Sequence, residues 1–387
     1  MDLNVGFGLY SITPPLGVRM AGYRQREGVA EEVHDELTAR AVAFELGGES
    51  AAIVVADICS LPAELGERTR VRLGERTGIP EDHVIVVSNH THSGPALHDE
   101  SAYRELLPDL VASAGELAWK RRRPARISFG TGKAAGLCIN RRDLRGPVDE
   151  EFAYLEARDS GGSPFGILFA YALHGVVMGH VNLSISADYF GAARRVVEAG
   201  LPGAQTVFVA PPSGDINPLT PSVKKLIKEH GDSWYTDDPL TGIYDRSTGT
   251  FEEVEKLGGS LGKAVLKALS DAEPLEPQKL NARTWTVDLG SEDEVPMSLS
   301  AIEMDDLVIL ALQGEHFVET GSALKRMADE AGKRVILLSH MGQICYVPTP
   351  DAFEHGGYEV EIARRKGLAE DAQQRVLGSV RRELFPA

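Results

Sequence analysis

The sequence predicts an α/β fold in which mixed β-sheets are flanked by helices. Two observations predict it. Short β-branched runs recur, apolar without alternation, as strands covered on both faces require, and segments of helical period lie between them. At roughly 150 residues per domain the 387 residues suffice for two or three domains, and one large α/β domain fits as well. We read a single domain over 1–387. Residues 271–280 (DAEPLEPQKL) are the best linker, and would join halves 1–270 and 281–387.

In chain order, Ala51-Ala52-Ile53-Val54-Val55-Ala56 is the first strand, a helix follows over 62–77, and Val84-Ile85-Val86-Val87 is the second strand. A helix over 101–119 precedes the run Phe165 to Leu173, and a helix over 188–199 precedes Thr206-Val207-Phe208-Val209. Residues 211–250, rich in Pro, Asp, Gly and Thr, form a long connection holding one short basic helix, Val223 to Glu229; loops of that length in compact domains are usually functional or mobile. The next helix, 251–270, carries the apolar stripe Val254, Leu257, Leu261, Val265, Leu269. Leu307 to Leu312 and Arg334 to Leu338 are strands, with a helix over 320–331 between them and a last one over 359–384.

Composition excludes several classes. Forty Lys and Arg against 57 Asp and Glu leave a net charge of −17, which repels nucleic acid and anionic lipid surfaces. The 43% hydrophobic content is that of a globular chain, not a disordered one. Cys59, Cys138 and Cys345 are isolated thiols, so no disulfide framework is expected, and a reducing compartment is. The start MDLNVGFGLYSITPP does not read as a secretory signal. The longest apolar stretch, Phe165 to Val181, is broken by glycines and histidines and falls short of the roughly 20 apolar residues of a membrane span. A soluble cytoplasmic protein is the expectation.

The chemistry gathers just past the strands. In Ser88-Asn89-His90-Thr91-His92-Ser93-Gly94-Pro95, residues two apart in an extended segment share a face, so His90 and His92 can reach one site. Such a pair serves a metal, or merely hydrogen-bonds in a loop. His174 closes the run ending Tyr171-Ala172-Leu173, where a lone histidine is as readily a core residue as a ligand. Glu315 ends an apolar strand, where a carboxylate needs a cation or donors to offset its desolvation. Tyr346, taken alone, reads as packing. What joins them is position: His90, His92, His174, Asp215 and Glu315 all lie near the carboxyl end of a strand, where open α/β sheets bind ligands. Two histidines and a carboxylate around an open position is how catalytic zinc is held, with iron or manganese a poorer match to these ligands.

A family resemblance follows from motifs in order: SITPPLGVRMAGY (11–23), VHDELTARA (33–41), SNHTHSGP (88–95), CINRRD (138–143), ALHGV (172–176), PSGDINP (212–218), QGEHF (313–317), and CYVPT followed by GGYE (356–359). The chain resembles the catalytic domain of the neutral/alkaline, non-lysosomal ceramidases over essentially its whole length. The resemblance implies one zinc ion per chain, held by His90, His174, Glu315 and Tyr346 with a water. It implies that His92 transfers protons, and that Arg141 and Tyr358 hold the substrate and its developing oxyanion. The reaction it implies is hydrolysis of a linear amide bond, in ceramide or in a smaller N-acyl amine.

Three departures bear on that reading. The immunoglobulin-like domain usual after the catalytic domain is not expected beyond Leu384, nor is a secretion signal expected. Asn217 stands where the family has a serine, which favours hydrolysis by metal-activated water. Asp57 and the His34–Asp35 pair orient metal histidines or cap a turn, the latter favoured for Asp57, and Asp188 caps the helix starting there. His316, His340 and His355 are only chain neighbours of site residues. Met20 to Tyr23 lines the pocket mouth by resemblance, and Lys120 to Arg123 is a solvated helix end. The rival readings are an amidohydrolase-type metal hydrolase, which also opens with HxH, and a non-catalytic metal- or lipid-binding protein on the same scaffold.

Overall fold

The computed structural model describes residues 3–98, 100–236, 238, 242, 245–290 and 296–386, leaving out the side chains of 343–345 and with them the Cys345 thiol. The continuous apolar runs are strands, and they pair in parallel. Glu49–Ala56 lies beside Val84–Ser88, Pro164–Ala170 beside Gln205–Val209, and Leu307–His316 beside Arg334–Val347. Each parallel pair belongs to a different mixed sheet. Antiparallel strands extend the sheets: Asn4–Ser11 and Thr38–Leu46 in the first, Arg126–Lys133 and Glu151–Arg158 in the second, Asn281–Val287 and Met297–Met304 in the third. The sequence reading passed over these six, because charged residues such as Arg40, Glu45, Glu156 and Arg158 interrupt their apolar runs.

The two-faced burial of the parallel strands has a direct cause. In Glu49–Ala56, Ile53 and Val55 enter a core shared by all three sheets, while Val54 and Ala56 belong to the core beneath the helices. Helices Ala63–Thr77 and Ala102–Lys120 cover the first sheet, Asp188–Gly200 and Phe251–Ala268 the second, and Val318–Glu330 and Ala372–Leu384 the third. Three helix-backed sheets therefore share one interior, and strands at its centre have no face left for polar residues.

Some boundaries differ from expectation. The predicted helix 359–384 is two helices, Tyr358–Arg365 and Ala372–Leu384; Gly367, at φ 69°, ends the first in a left-handed turn. The strand expected over 165–173 stops at Ala170, which frees 171–175 to bend. In the long connection, the basic helix is Pro221–His230, and Ile216–Pro218 pairs with Cys138–Asn140. Within 271–280, Glu273–Leu275 adds to the edge of the second sheet against Arg126–Lys133. Among the described residues no helix is long and apolar enough to cross a membrane.

Candidate metal centre

His90 follows the Val84–Ser88 strand by two residues, but not in the extended geometry expected of it. Its φ is 64°, a left-handed conformation that a histidine adopts only under constraint. Backbone bonds supply the constraint: the His90 amide donates to the Ile58 carbonyl at 3.0 Å and the His92 amide to the Gly175 carbonyl at 2.9 Å. The HTH segment is thus pinned both to the loop after the neighbouring strand and to the loop carrying His174.

The two imidazoles are then fixed by the same device. Nδ1 of His90 donates to the Cys59 carbonyl at 2.7 Å, and Nδ1 of His174 donates to the Ser213 carbonyl at 2.7 Å. A carbonyl can only accept, so each ring spends its proton there and turns a bare Nε2 inward. Both nitrogens face one oxygen of Glu315, at 3.4 Å from His90 and 3.0 Å from His174. These residues are 3%, 1% and 2% exposed, so water does not neutralise the cluster. Three buried lone-pair donors facing each other require a positive charge between them. Protonation responds accordingly: burial pushes His90 down, but the Glu315 carboxylate and Cys59 together outweigh it and raise that imidazole to about 9, while burial holds His174 down at about 4. Without another cation, a proton takes the place of one. The donor set, with ligand atoms within 4.8 Å of one another, fits a single metal ion. Cys59, His90 and His92 form a second such group, which shares His90 with the first.

Tyr346 reaches the cluster through sheet register, since it pairs with Glu315 across the parallel strands. Its hydroxyl accepts from Nη2 of Arg141 at 3.2 Å and lies 3.3 Å from the Tyr358 hydroxyl. Burial, with Glu315 adding to it, keeps Tyr346 a phenol well above its ordinary range. Arg141 is buried and clamped: Nε donates to Glu359 at 3.0 Å, Nη1 to the Asn217 amide oxygen at 3.3 Å, and its backbone amide to the Asp215 carbonyl at 2.8 Å. Glu359 also accepts from Arg142 at 2.6 Å, so one buried carboxylate holds two guanidiniums. Asn217, where the resemblance expects a serine, serves as an acceptor for Arg141.

His92 sits 3.1 Å from His90, Nε2 to Nε2, while its own Nδ1 is buried without a partner. Burial first, then the charges of His90 and His174, keep it neutral by holding it well below the usual imidazole range. Gly22, at φ 102°, lies flat against its ring; a Cβ there would stand 2.4 Å from the imidazole Cγ. Met20 to Tyr23 does line the mouth of the pocket, a cavity of about 560 Å³ onto which His90, His92, Glu315, Tyr346, Tyr358 and Tyr235 open.

The remaining candidates fall elsewhere. Asp215 accepts from Asn140 at 2.6 Å and from the Val318 amide at 2.9 Å, so it organises the loop behind Arg141 and is not part of the metal group. Asp57 accepts from the Thr38 backbone amide at 2.9 Å where the Thr38–Leu46 strand begins, and it takes both ends of the Arg194 guanidinium, at 2.8 and 2.7 Å, and the Asn89 amide beside His90 at 2.9 Å. His34 stacks on Phe251, and Asp35 accepts from Ser186 and the Ala187 amide. Asp188 serves the start of its helix, its carboxylate accepting from the Tyr189 amide at 2.6 Å, and it also accepts from the Val177 amide at 3.1 Å, tying down the loop after His174. In the Lys120 to Arg123 patch, Arg122 pairs with Glu45 and stacks on Trp119. Sequence reasoning missed three neighbours. His340 stacks on His90 with ring centroids 4.4 Å apart, Glu359 holds Arg141, and Tyr235 touches Tyr358. Glu359 stands beside Tyr358 in GGYE, and His340 reads in the sequence as a mere chain neighbour of the site.

No family model matches the chain. It is similar to neutral ceramidase 1 of Arabidopsis thaliana, 29% identical over 230 residues, which are 50% of this chain and 29% of that protein. It is also similar to the neutral ceramidase of Mycobacterium tuberculosis, 26% identical over 331 residues, 75% of this chain and 49% of that one. The matches thus span half or less of these relatives' length. The crystal structure of Pseudomonas aeruginosa neutral ceramidase superposes with a TM-score of 0.81 at 18% identity, covering 100% of this chain and 75% of that one.

Proposed function

We propose that this chain, similar in sequence to neutral ceramidases and sharing the fold of one of them, is a zinc-dependent hydrolase of linear N-acyl amide bonds, ceramide among them. One observation carries this reading. Two imidazoles with their Nδ1 protons committed to carbonyls present bare nitrogens to a buried carboxylate, and His90 and that carboxylate open on a pocket lined by the phenols of Tyr346 and Tyr358, with the clamped Arg141 bonded to Tyr346 behind them.

His90, His174 and Glu315 would hold the ion, with the Tyr346 oxygen as fourth ligand. Zinc, when bound, lowers the pKa of a water from 15.7 to about 7 and polarises a carbonyl. The chain's own residues do the rest. His92, neutral and facing His90, takes the proton of the attacking water and returns it to the departing nitrogen, without which an amide does not cleave. Arg141 and Tyr358 direct an N–H and an O–H toward the amide oxygen as it gains charge. Donors held in place before the reaction do this at no reorganisation cost, each worth roughly 3–4 kcal/mol.

Elemental analysis is expected to find close to one zinc per chain. A panel of N-acyl compounds, from short acyl amides to ceramides, is expected to include one from which the protein releases free amine. Zinc loss without loss of turnover would overturn the reading.

A further inference from the structure

Tyr235 belongs to the long connection 211–250, yet it stands against both residues assigned to the oxyanion side. Its hydroxyl lies 3.1 Å from the Tyr358 hydroxyl, and its ring faces the Arg141 guanidinium at 5.0 Å. The same segment packs on Tyr358 a second time. Gly242, at φ 60°, lies against that ring so closely that a Cβ would stand 2.8 Å from it. The segment is also tied across the pocket: the Gln25 side chain donates to the Asp245 carbonyl at 2.6 Å and accepts from the Asp245 amide at 3.4 Å. Beside that tie the Arg246 amide donates to the Tyr235 carbonyl at 2.9 Å, which places Tyr235, and Tyr235 lines the pocket with Tyr358.

A phenol has one proton and rotates freely about its C–O bond, so a ring held in place does not fix where the hydroxyl points. The Tyr358 oxygen has two hydroxyl neighbours, Tyr346 at 3.3 Å on the ligand side and Tyr235 at 3.1 Å on the other. We propose that Tyr235 is a positioning residue: its hydroxyl donates to the Tyr358 oxygen, so that the single Tyr358 proton is left for the amide oxygen. This rests on the function proposed above. Tyr235 is not required to touch the reacting atoms.

The test is a double-mutant cycle with Tyr235→Phe and Tyr358→Phe, which keep both rings and remove one hydroxyl each. With N-dodecanoyl aminocoumarin as substrate, Tyr235→Phe is expected to lower kcat about tenfold, the size of one ordered hydrogen bond, with KM unchanged. The double variant is expected to be no slower than Tyr358→Phe alone, because Tyr235 acts through the group already removed. A second readout does not depend on turnover. In protein labelled with fluorotyrosine, the fluorine resonance of Tyr358, assigned with Tyr358→Phe, is expected to shift or broaden in Tyr235→Phe. Multiplicative losses of kcat, a change confined to KM, or an unmoved resonance would each overturn the inference. A wild-type protein inert toward every N-acyl probe would instead sink the function, leaving the resonance to decide on Tyr235.

Discussion

The two sides of the pocket are built differently. On one, His90, His174 and Glu315 sit at or just beyond the ends of strands that belong to parallel pairs, and backbone carbonyls set their rings. On the other, Arg141, Tyr358 and Tyr235 come from loops and the first residue of a short helix, and other side chains set them: Glu359 and Asn217 for Arg141, phenols for each other. The backbone can aim a ligand rigidly because a ladder of hydrogen bonds supports it. Side chains aim less rigidly, and each link is open to change. The ligand side is therefore expected to fail all at once under substitution, and the donor side by degrees.

The largest effect tests the first half of that contrast. His90→Ala or Glu315→Ala is expected to abolish both bound zinc and turnover, seen by elemental analysis and by amine release. Zinc retained in either variant would break the contrast at its root. His92→Ala is expected to keep the zinc and lose roughly a hundred- to ten-thousandfold in kcat, the range for a general acid–base group. If His92→Ala is the variant stripped of metal, the roles of the two HTH histidines are reversed.

On the donor side, Glu359→Gln removes the one carboxylate between two guanidiniums. Breaking such a buried pair costs about 3–5 kcal/mol, so the melting temperature and kcat/KM are both expected to fall while zinc content is kept. Asn217→Ala removes a single long contact to Arg141, 3.3 Å, and a few-fold loss in kcat/KM is expected. A larger loss for Asn217→Ala than for Glu359→Gln would show that the amide, not the carboxylate, holds the arginine.

How far this was legible in the chain follows from the same physics. The strands of the parallel pairs could be read because burial on both faces leaves an unbroken apolar run, as in Ile53 to Val55 or Val84 to Val87. The antiparallel strands could not, since their exposed or ion-paired positions mix polar residues into runs such as Thr38–Leu46. Ligand-type residues next to those legible strand ends were legible too. Asp215 was read by the same rule and proved to serve the Arg141 loop, because position along the chain says nothing of side-chain direction. Tyr235 carried no local signal, and His340, seen as a chain neighbour of the site, carried none that placed it there.

The sequence by itself determined which segments become the buried parallel strands and which ligand-capable side chains lie near their ends, because apolar period and residue type are local properties. The tertiary structure alone decided that His90 takes a left-handed turn to meet His174 and Glu315, and that Glu359 and Tyr235 stand behind Arg141 and Tyr358. Those outcomes depend on contacts between residues distant along the chain, from His90 with Ile58 to His90 with Glu315, and no short window along the chain contains them.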